Sequence, residues 1–312
     1  MILSSVGPVN WTGESLPDQR SRSAVITGAN SGIGWFTALA LARAGAHVVL
    51  ACRDIEKAKG AAGRITAAVA GADVSVAEVD LASIESVQSF AYDFDGPLDL
   101  LINNAGVMAP PRFTTTSDGY ELQFGTNHLA HFVLTGLLLP HLRQAPAPRV
   151  VTVSSLAHHT GGRDVVNGNA ERAGYTPHHA YSNSKLANLL FATELQRRAD
   201  QHGVELTSTA AHPGLAATGL PTDPEGLGAH KIVRAAAPVV TKLVAQSARA
   251  GALPTLYAAT VAEPGEYCGP QRMHETRGPV GQAKRSGLAA DERLARDLWR
   301  VSEDLTGFRW TW

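Results

Sequence analysis

Along the first two-thirds of the chain, short unbroken apolar runs alternate with longer stretches of helical periodicity. Ser23-Ala24-Val25-Ile26, His47-Val48-Val49-Leu50-Ala51 and residues 74–79, 98–102, 149–153 and 205–210 read as strands. Between them, residues 33–44, 55–69, 84–94, 118–142 and 181–199 read as helices, the third capped by Ser83 and stopped by Gly96-Pro97. Strands without polar alternation are buried on both faces, and a helix between successive strands makes the pairing parallel with right-handed crossovers. The expected fold is α/β: a doubly wound, mostly parallel sheet of about seven strands with helices on both faces and ligands at the strands' carboxyl ends. No linker, repeat or charge run divides the 312 residues, so one domain is expected, with a short lead over residues 1–22. A Pro/Gly-rich stretch opens a loop region at about 213–245, and helices at 247–259 and 291–305 flank a short Glu266-Tyr267-Cys268-Gly269 segment.

Composition removes several classes. A formal charge of −1 with no basic stripe argues against a duplex nucleic-acid partner. Ordinary apolar content, 44%, argues against disorder. Cys52 and Cys268 alone cannot make a disulfide framework or a four-cysteine zinc site. No apolar run approaches the ~18–20 residues of a membrane span, and Met1 to Pro8 lacks a basic start followed by a long apolar run. The expectation is a cytoplasmic protein without a membrane anchor, in which the sequon Asn10-Trp11-Thr12 is a chance match.

The first strand runs into Thr27-Gly28-Ala29-Asn30-Ser31-Gly32-Ile33-Gly34. Glycines there let the backbone turn tightly and approach a pyrophosphate, while the following helix offers free N–H groups and its positive end. A glycine pattern alone is weak; its place between the first strand and helix of a βαβ unit makes it a nucleotide site.

The spacing Thr-Gly-x-x-x-Gly-x-Gly resembles the short-chain dehydrogenase/reductase superfamily, whose members carry a Rossmann-type fold. Other pieces match at corresponding places: Asp80-Leu81, Asn103-Asn104-Ala105-Gly106, Ser154-Ser155, Tyr181-Ser182-Asn183-Ser184-Lys185 and His212-Pro213-Gly214. Ala51-Cys52-Arg53-Asp54, Asn127-His128-Leu129-Ala130-His131-Phe132 and the Tyr181 segment resemble the retinol dehydrogenase/protochlorophyllide reductase-like branch. The resemblance implies that Asp80 accepts from the adenine amino group, that Asn104 and its neighbours line the adenosine side, and that Pro213, Gly214 and Thr218 flank the nicotinamide. Asp80 also reads simply as a helix N-terminal acid.

The end of the second strand chooses the cofactor, since an acid there takes a ribose 2′-hydroxyl and an Arg a 2′-phosphate. By comparison with the family, Cys52 stands at the acidic position and Arg53 follows where NADP-dependent members are basic. NADP(H) is expected, because neutral Cys52 leaves the phosphate unopposed and Arg suits it geometrically. The rival reading makes Asp54 the ribose acid and the cofactor NAD(H); the bland one makes Arg53 a solvated charge paired with Asp54.

Tyr181 and Lys185, four residues apart, share one helical face beyond a loop that begins with Ser154-Ser155. A carbonyl receiving hydride needs a proton, and a Tyr hydroxyl of pKa about 10 exchanges poorly at neutral pH. A neighbouring Lys cation would favour the tyrosinate, and a serine hydroxyl would hold the substrate oxygen. The family match selects Ser155 for that role, with a capping or turn serine as the bland alternative. It also implies that Asn127 bends its helix and binds a water beside the Lys. Ser155 and Tyr181 lie 26 residues apart (181 − 155), about twice the spacing of many members, so residues 156–180 read as an insertion. The histidine pairs suggest no metal, since no acid completes a ligand set around His128 and His131.

The expected activity is NADP(H)-dependent hydride transfer between nicotinamide and a carbonyl or alcohol of a small molecule, with Tyr181 as general acid/base. Ala216, Ala217, Leu220, Ile232, Val233 and Val239 suggest an apolar lid over a hydrophobic substrate. The alternatives are an NADP(H)-sensing protein without catalysis and a reductase of an activated C=C bond. The family also implies a homodimer or homotetramer through the helices at 118–142 and 181–199, where Leu134-Thr135-Gly136-Leu137-Leu138-Leu139 supplies either that face or core.

Overall fold

Each apolar run becomes a strand of one sheet in the computed structural model, which describes residues 11–167, 169–170, 173–216 and 246–312. The strands are β1 (Ser23–Thr27), β2 (His47–Cys52), β3 (Val74–Glu78), β4 (Leu100–Asn103), β5 (Arg149–Val153), β6 (Thr207–Ala211) and β7 (Tyr267–Arg272). They pair in parallel in the order β3-β2-β1-β4-β5-β6-β7. An eighth strand, β8 (Arg277–Gln282), lies antiparallel on β7, so the sheet has eight strands where the sequence suggested about seven. Its sequence, Arg-Gly-Pro-Val-Gly-Gln, has no apolar run to betray it; hairpin pairing at the sheet edge makes it a strand.

The helices are α1 (Gly32–Arg43), α2 (Ile55–Ala68), α3 (Ile84–Asp93), α4 (Ala130–Leu137), α5 (Pro177–His202), α6 (Ala248–Thr260) and α7 (Glu292–Thr306). Side chains alternate across each central strand as the pleat requires. Ala24, Ile26, Val48, Leu50, Leu100 and Ile102 join α1, α2 and α6 in one core. Val25, Val49, Ala51 and Leu101 pack on the opposite face with residues of α3, α4 and α5. Asp54, Ser83, Ser247 and Asp291 each accept a first-turn amide and fix where four helices begin.

The stretch expected as one helix over 118–142 is broken up. Gly119 takes a left-handed turn (φ +86°), a short helix Leu122–Phe124 follows, and Gly125–Leu129 forms a π-helical turn before α4. In that turn Ala130 N–H bonds back to the Gly125 carbonyl. Helix α5 starts earlier than the sequence suggested because Pro177 suits a first-turn position that needs no N–H.

The Leu134 to Leu139 run is core, the second of its two readings. Leu134, Leu138 and Leu139 are buried within the chain. Trp299 of α7 and the following Phe308, Trp310 and Trp312 lie over α4 and α5: Phe132 is 4.9 Å from Trp299 and 5.6 Å from Trp310, ring centre to ring centre. Trp312 stacks on His202 at 5.0 Å. A Cβ at Gly136 would strike the Phe308 ring, so a glycine on α4 is what lets the aromatic cover sit down.

Candidate active site

The carboxyl ends of β1, β4, β5 and β6 bring the sequence-selected residues to one edge of the sheet. Gly28, left-handed at φ +66°, packs so tightly that a Cβ would lie 2.9 Å from that of Ala105. A Cβ on Gly34 would lie 2.7 Å from the Gly28 carbonyl oxygen and 2.6 Å from Asn104 Nδ2. These glycines let the turn pack closely in front of α1, whose N-cap, Ser31, makes no side-chain bond to the first turn.

One buried hydroxyl ties this turn to the next loop. Thr27 Oγ1 accepts the N–H groups of Asn104 and Ala105, each at 3.0 Å. It then donates to His131 Nε2 at 3.0 Å, while His131 Nδ1–H donates to the Asn127 carbonyl at 3.1 Å. Partners of this kind fix the tautomer as Nδ1–H. Burial holds the ring neutral, its pKa lowered to about 4. The Asn104 amide donates to the Thr27 carbonyl at 2.8 Å.

Asn127 sits in the π-helical turn. Its side chain clamps the loop after β4: Oδ1 accepts from Val107 N–H at 2.8 Å and Nδ2 donates to the Val107 carbonyl at 3.0 Å. Nδ2 also donates to Ser184 Oγ at 2.9 Å, and Ser184 in turn bonds the Tyr181 carbonyl. Gly106 lies between Asn127 and Lys185; a Cβ there would stand 2.9 Å from Asn127 Oδ1 and 3.3 Å from Lys185 Nζ.

Lys185 is buried, with Nζ donating to the Val153 carbonyl at 3.2 Å and lying 5.7 Å from the Tyr181 ring centre. Tyr181 is also buried, beside the Ser155 hydroxyl. Ser155 caps the 3-10 helix Leu156–Thr160, its Oγ accepting from Ala157 N–H at 3.2 Å, which leaves its hydrogen free to donate. The capping reading therefore holds, and it is compatible with a second task. Burial pushes Tyr181 up to about 12, opposed by the hydrogen bond from Ser155, and pulls Lys185 down to about 8. The lysine thus does not bring the phenol below its ordinary value in the chain alone. Desolvation, which penalises both charged forms, is the leading cause of each shift.

A buried lysine of this kind is a stability cost that can be removed. Its pKa is lowered on folding, so the unfolded chain binds more protons between about pH 8 and pH 10.5, and stability rises with pH across that window. At pH 7 the native chain carries a penalty of about 3 kcal/mol. Lys185→Met should therefore raise the melting temperature at pH 7 by several degrees, with the gain fading toward pH 10.5. An equal melting temperature at pH 7 would contradict the burial argument.

The insertion does not separate Ser155 from Tyr181, because it is pinned at several points. Gly162 N–H donates to Asn183 Oδ1 at 2.8 Å, and Asp164 bonds His179 and Asn183 at 2.8 and 2.9 Å. Gln123 spans three segments: Oε1 accepts from Ala109 N–H at 2.7 Å, and Nε2 donates to the Tyr175 hydroxyl and the Pro177 carbonyl, both at 3.0 Å. Tyr175 in turn donates to buried Glu121 at 3.0 Å. A cavity of about 280 Å³ under the insertion is lined by Glu121, Tyr175, Ala180 and Asn183. The sequence offered no signal for Gln123 or Glu121; His131, one helical turn beyond Asn127, could have been picked out by spacing.

At the end of β2, Arg53 is exposed and the Cys52 thiol is buried beneath the glycine turn, its pKa raised by desolvation. Asp54 caps α2 through Lys57 N–H at 3.0 Å and pairs with Lys57 Nζ at 2.9 Å. Asp80 Oδ1 accepts from Ala82 N–H at 2.9 Å, three residues ahead of the Ser83 cap of α3 rather than within that helix's first turn, and Leu81 is buried. Pro213 and Gly214 follow β6, Gly214 with φ +64°. Thr218 and the lid residues Ala217, Leu220, Ile232, Val233 and Val239 lie outside the described residues. The histidines have other work: His128 bonds Ser302 at 2.8 Å and His158 the Ser155 carbonyl at 2.7 Å. Among the described residues, no three His, Cys, Asp or Glu side chains gather as a ligand set, and no helix is long and apolar enough to cross a membrane.

Residues 22–224 match the family model of short chain dehydrogenases. Human retinol dehydrogenase 13 is 39% identical over 302 residues, covering 95% of this chain and 88% of that protein. Mouse polyprenol dehydrogenase is 40% identical over 299 residues, covering 94% and 86%. The crystal structure of an uncharacterized protein from Mycobacterium Paratuberculosis superposes with a TM-score of 0.80 at 42% identity, covering 97% of this chain and all of that one. A Beutenbergia cavernae protein, described as an NAD(P)-dependent gluconate 5-dehydrogenase with NADP bound at low occupancy, superposes with a TM-score of 0.58 at 25% identity, covering 77% and 90%. A sheet of this order, a glycine turn of this spacing and a Tyr-Lys pair beyond β5 converge with these likenesses: the chain belongs to the short-chain dehydrogenase/reductase superfamily, in its retinol dehydrogenase branch.

Proposed function

We propose that this dehydrogenase transfers hydride between NADP(H) and the carbonyl or alcohol group of an apolar small molecule, in the cytoplasm. The observation that carries the reading is the buried Tyr181–Lys185 pair, with the Ser155 hydroxyl beside the phenol, at the sheet edge that also holds the glycine turn. NADP(H), when bound, supplies or takes up the hydride. Gly28, Asn30, Ser31, Gly32, Ile33 and Gly34 would hold its diphosphate, and Arg53 its 2′-phosphate. Asp80, Leu81, Asn104, Ala105 and Gly106 would line the adenosine and ribose side, and Pro213, Gly214 and Thr218 the nicotinamide.

In the reducing direction Tyr181 gives its hydroxyl proton to the substrate oxygen, and the Ser155 O–H holds that oxygen in place. The tyrosinate left behind is favoured by the Lys185 ammonium, which is itself only weakly committed to its proton in this buried setting. Asn127 keeps the loop after β4 and helix α5 in register around them. In the oxidising direction the same phenolate takes the alcohol proton. An apolar alcohol as substrate is supported by relatives named for retinol and polyprenol.

The experiment is a titration with NADPH and NADH, followed by a panel of aldehydes, ketones and alcohols watched by nicotinamide absorbance. NADPH should bind more tightly, and Arg53→Ala should weaken it by about 10–100-fold while leaving NADH nearly unchanged. Equal losses for both cofactors would remove the assignment of Arg53. No turnover with any member of the panel, despite NADPH binding, would favour a sensor over an enzyme.

A further inference from the structure

The turn after β6 is gripped from outside the parallel sheet. Gly214 N–H donates to His212 Nδ1 at 3.2 Å, and Leu215 N–H donates to the Thr276 carbonyl at 2.9 Å. A Cβ on Gly214 would collide with that same carbonyl. His212 is fully buried, and with Nδ1 accepting, its neutral ring carries the proton on Nε2. That N–H faces Glu275 Oε2 at 3.5 Å, long for a hydrogen bond, and has no other partner among the described residues. Glu275 is fixed in turn, Oε1 accepting from Lys284 N–H at 3.0 Å. The His212 ring presses its Nε2 side against Gly269, where any side chain would run into it.

The segment that delivers Glu275 and Thr276 is the tip of the β7–β8 hairpin, and it is strained. Met273, His274 and Glu275 take φ of +52°, +55° and +62°, three successive left-handed residues none of which is glycine. Such a run persists only where its surroundings over-determine it, and strain of this kind collects where geometry serves function. Here the run turns the Glu275 carboxylate and the Thr276 carbonyl back onto residues 212–215.

We propose that Glu275 and His212 are a positioning pair through which the strained hairpin tip clamps the turn at residues 213–215, and with it the wall against which the nicotinamide half of the cofactor lies. The second half of this statement rests on the cofactor reading above; the clamp does not. Neither residue touches the reacting atoms.

Hydrogen exchange in the ligand-free chain tests the clamp. Glu275→Ala should speed exchange of the Gly214 and Leu215 amides about tenfold or more, with the β6 amides unchanged. Glu275→Gln, which keeps an oxygen for His212 Nε2–H, should restore most of the protection. Gly269→Ala, which displaces the ring and leaves Glu275 intact, should repeat the loss. The functional arm compares NADPH with adenosine 2′,5′-bisphosphate, which lacks the nicotinamide half. Glu275→Ala should weaken the first several-fold and leave the second unchanged. Unchanged exchange at 214 and 215, or faster exchange spread evenly over β6, overturns the clamp. Faster exchange with an unchanged ratio of the two affinities overturns its link to the nicotinamide. Failure of the wild-type chain to bind either ligand would overturn the cofactor reading instead, with the exchange result still deciding the clamp.

Discussion

Tyr181→Phe lowers kcat by about 10²–10⁴-fold while NADPH affinity stays within about threefold of wild type. The substitution removes one oxygen from a ring that is otherwise packed in place on α5, so its burial and the Lys185 ammonium at 5.7 Å from the ring centre survive. What disappears is the proton. Water cannot readily replace it, because the side chain is only 9% exposed. Single-turnover rates and a fluorescence titration of NADPH separate the two effects. Retained turnover, or parallel loss of cofactor binding and activity, would each contradict the assignment of Tyr181 as the acid/base. The pH profile should follow the same logic. With Tyr181 pushed up to about 12 in the ligand-free chain, alcohol oxidation should rise with pH as the phenolate fraction grows, and loss of the Lys185 ammonium above about pH 8 should blunt that rise.

Acid should unfold the chain steeply between about pH 6 and pH 4.5, and the cause is four imidazoles rather than the carboxylates. His128, His131, His158 and His212 are each at most 1% exposed, and burial lowers their pKa values to about 3, 4, 4 and 3. Neighbouring cations reinforce this: His131 faces Lys185 and His158 faces Arg285. The sign follows from proton uptake. Below the ordinary histidine value of about 6.5 the unfolded chain is protonated and the native chain is not, so stability is complete above that pH and is lost as pH falls. At pH 5 each buried ring forgoes about 2 kcal/mol, and four approach the ~5–15 kcal/mol that holds an ordinary domain together. Denaturant midpoints measured from pH 7.5 to pH 4.5 check it. A flat profile down to pH 5 would mean that these rings reach water. His128→Gln, which keeps a bond to Ser302 within reach, should flatten the slope.

The parallel part of the fold and the residues around the reacting centre were legible for one reason: each is written locally. A four- to six-residue apolar run is a buried strand wherever it lies, and a glycine turn or a Tyr-Lys pair at one-turn spacing is complete within a few positions. Strand β8 was not legible because Arg277 to Gln282 has no hydrophobic signature and owes its state to pairing with β7. The break before α4 was hidden in the same way, since nothing in Gly125 to Leu129 announces a π-helical turn and Gly119 is one glycine among 30. The groups that hold the site together share this property. Thr27, His131, Gln123, Glu121 and Glu275 act on residues 14 to 104 positions away, and their role exists only once the chain has folded. The influence of Lys185 on Tyr181 was read from charge alone. In the structure, dehydration of both groups decides the balance.

The aromatic cover over α4 and α5 has a consequence for how the chain is made. Phe132 leaves the ribosome about 180 residues ahead of Trp310 (310 − 132), which at ~5–20 residues per second is on the order of ten to forty seconds. Throughout that interval the apolar face of α4 and α5 that Trp299, Phe308, Trp310 and Trp312 will cover lacks that cover. Synthesis therefore passes through a stage in which most strands are available but one apolar face is uncovered, the kind of surface that aggregates or binds chaperones.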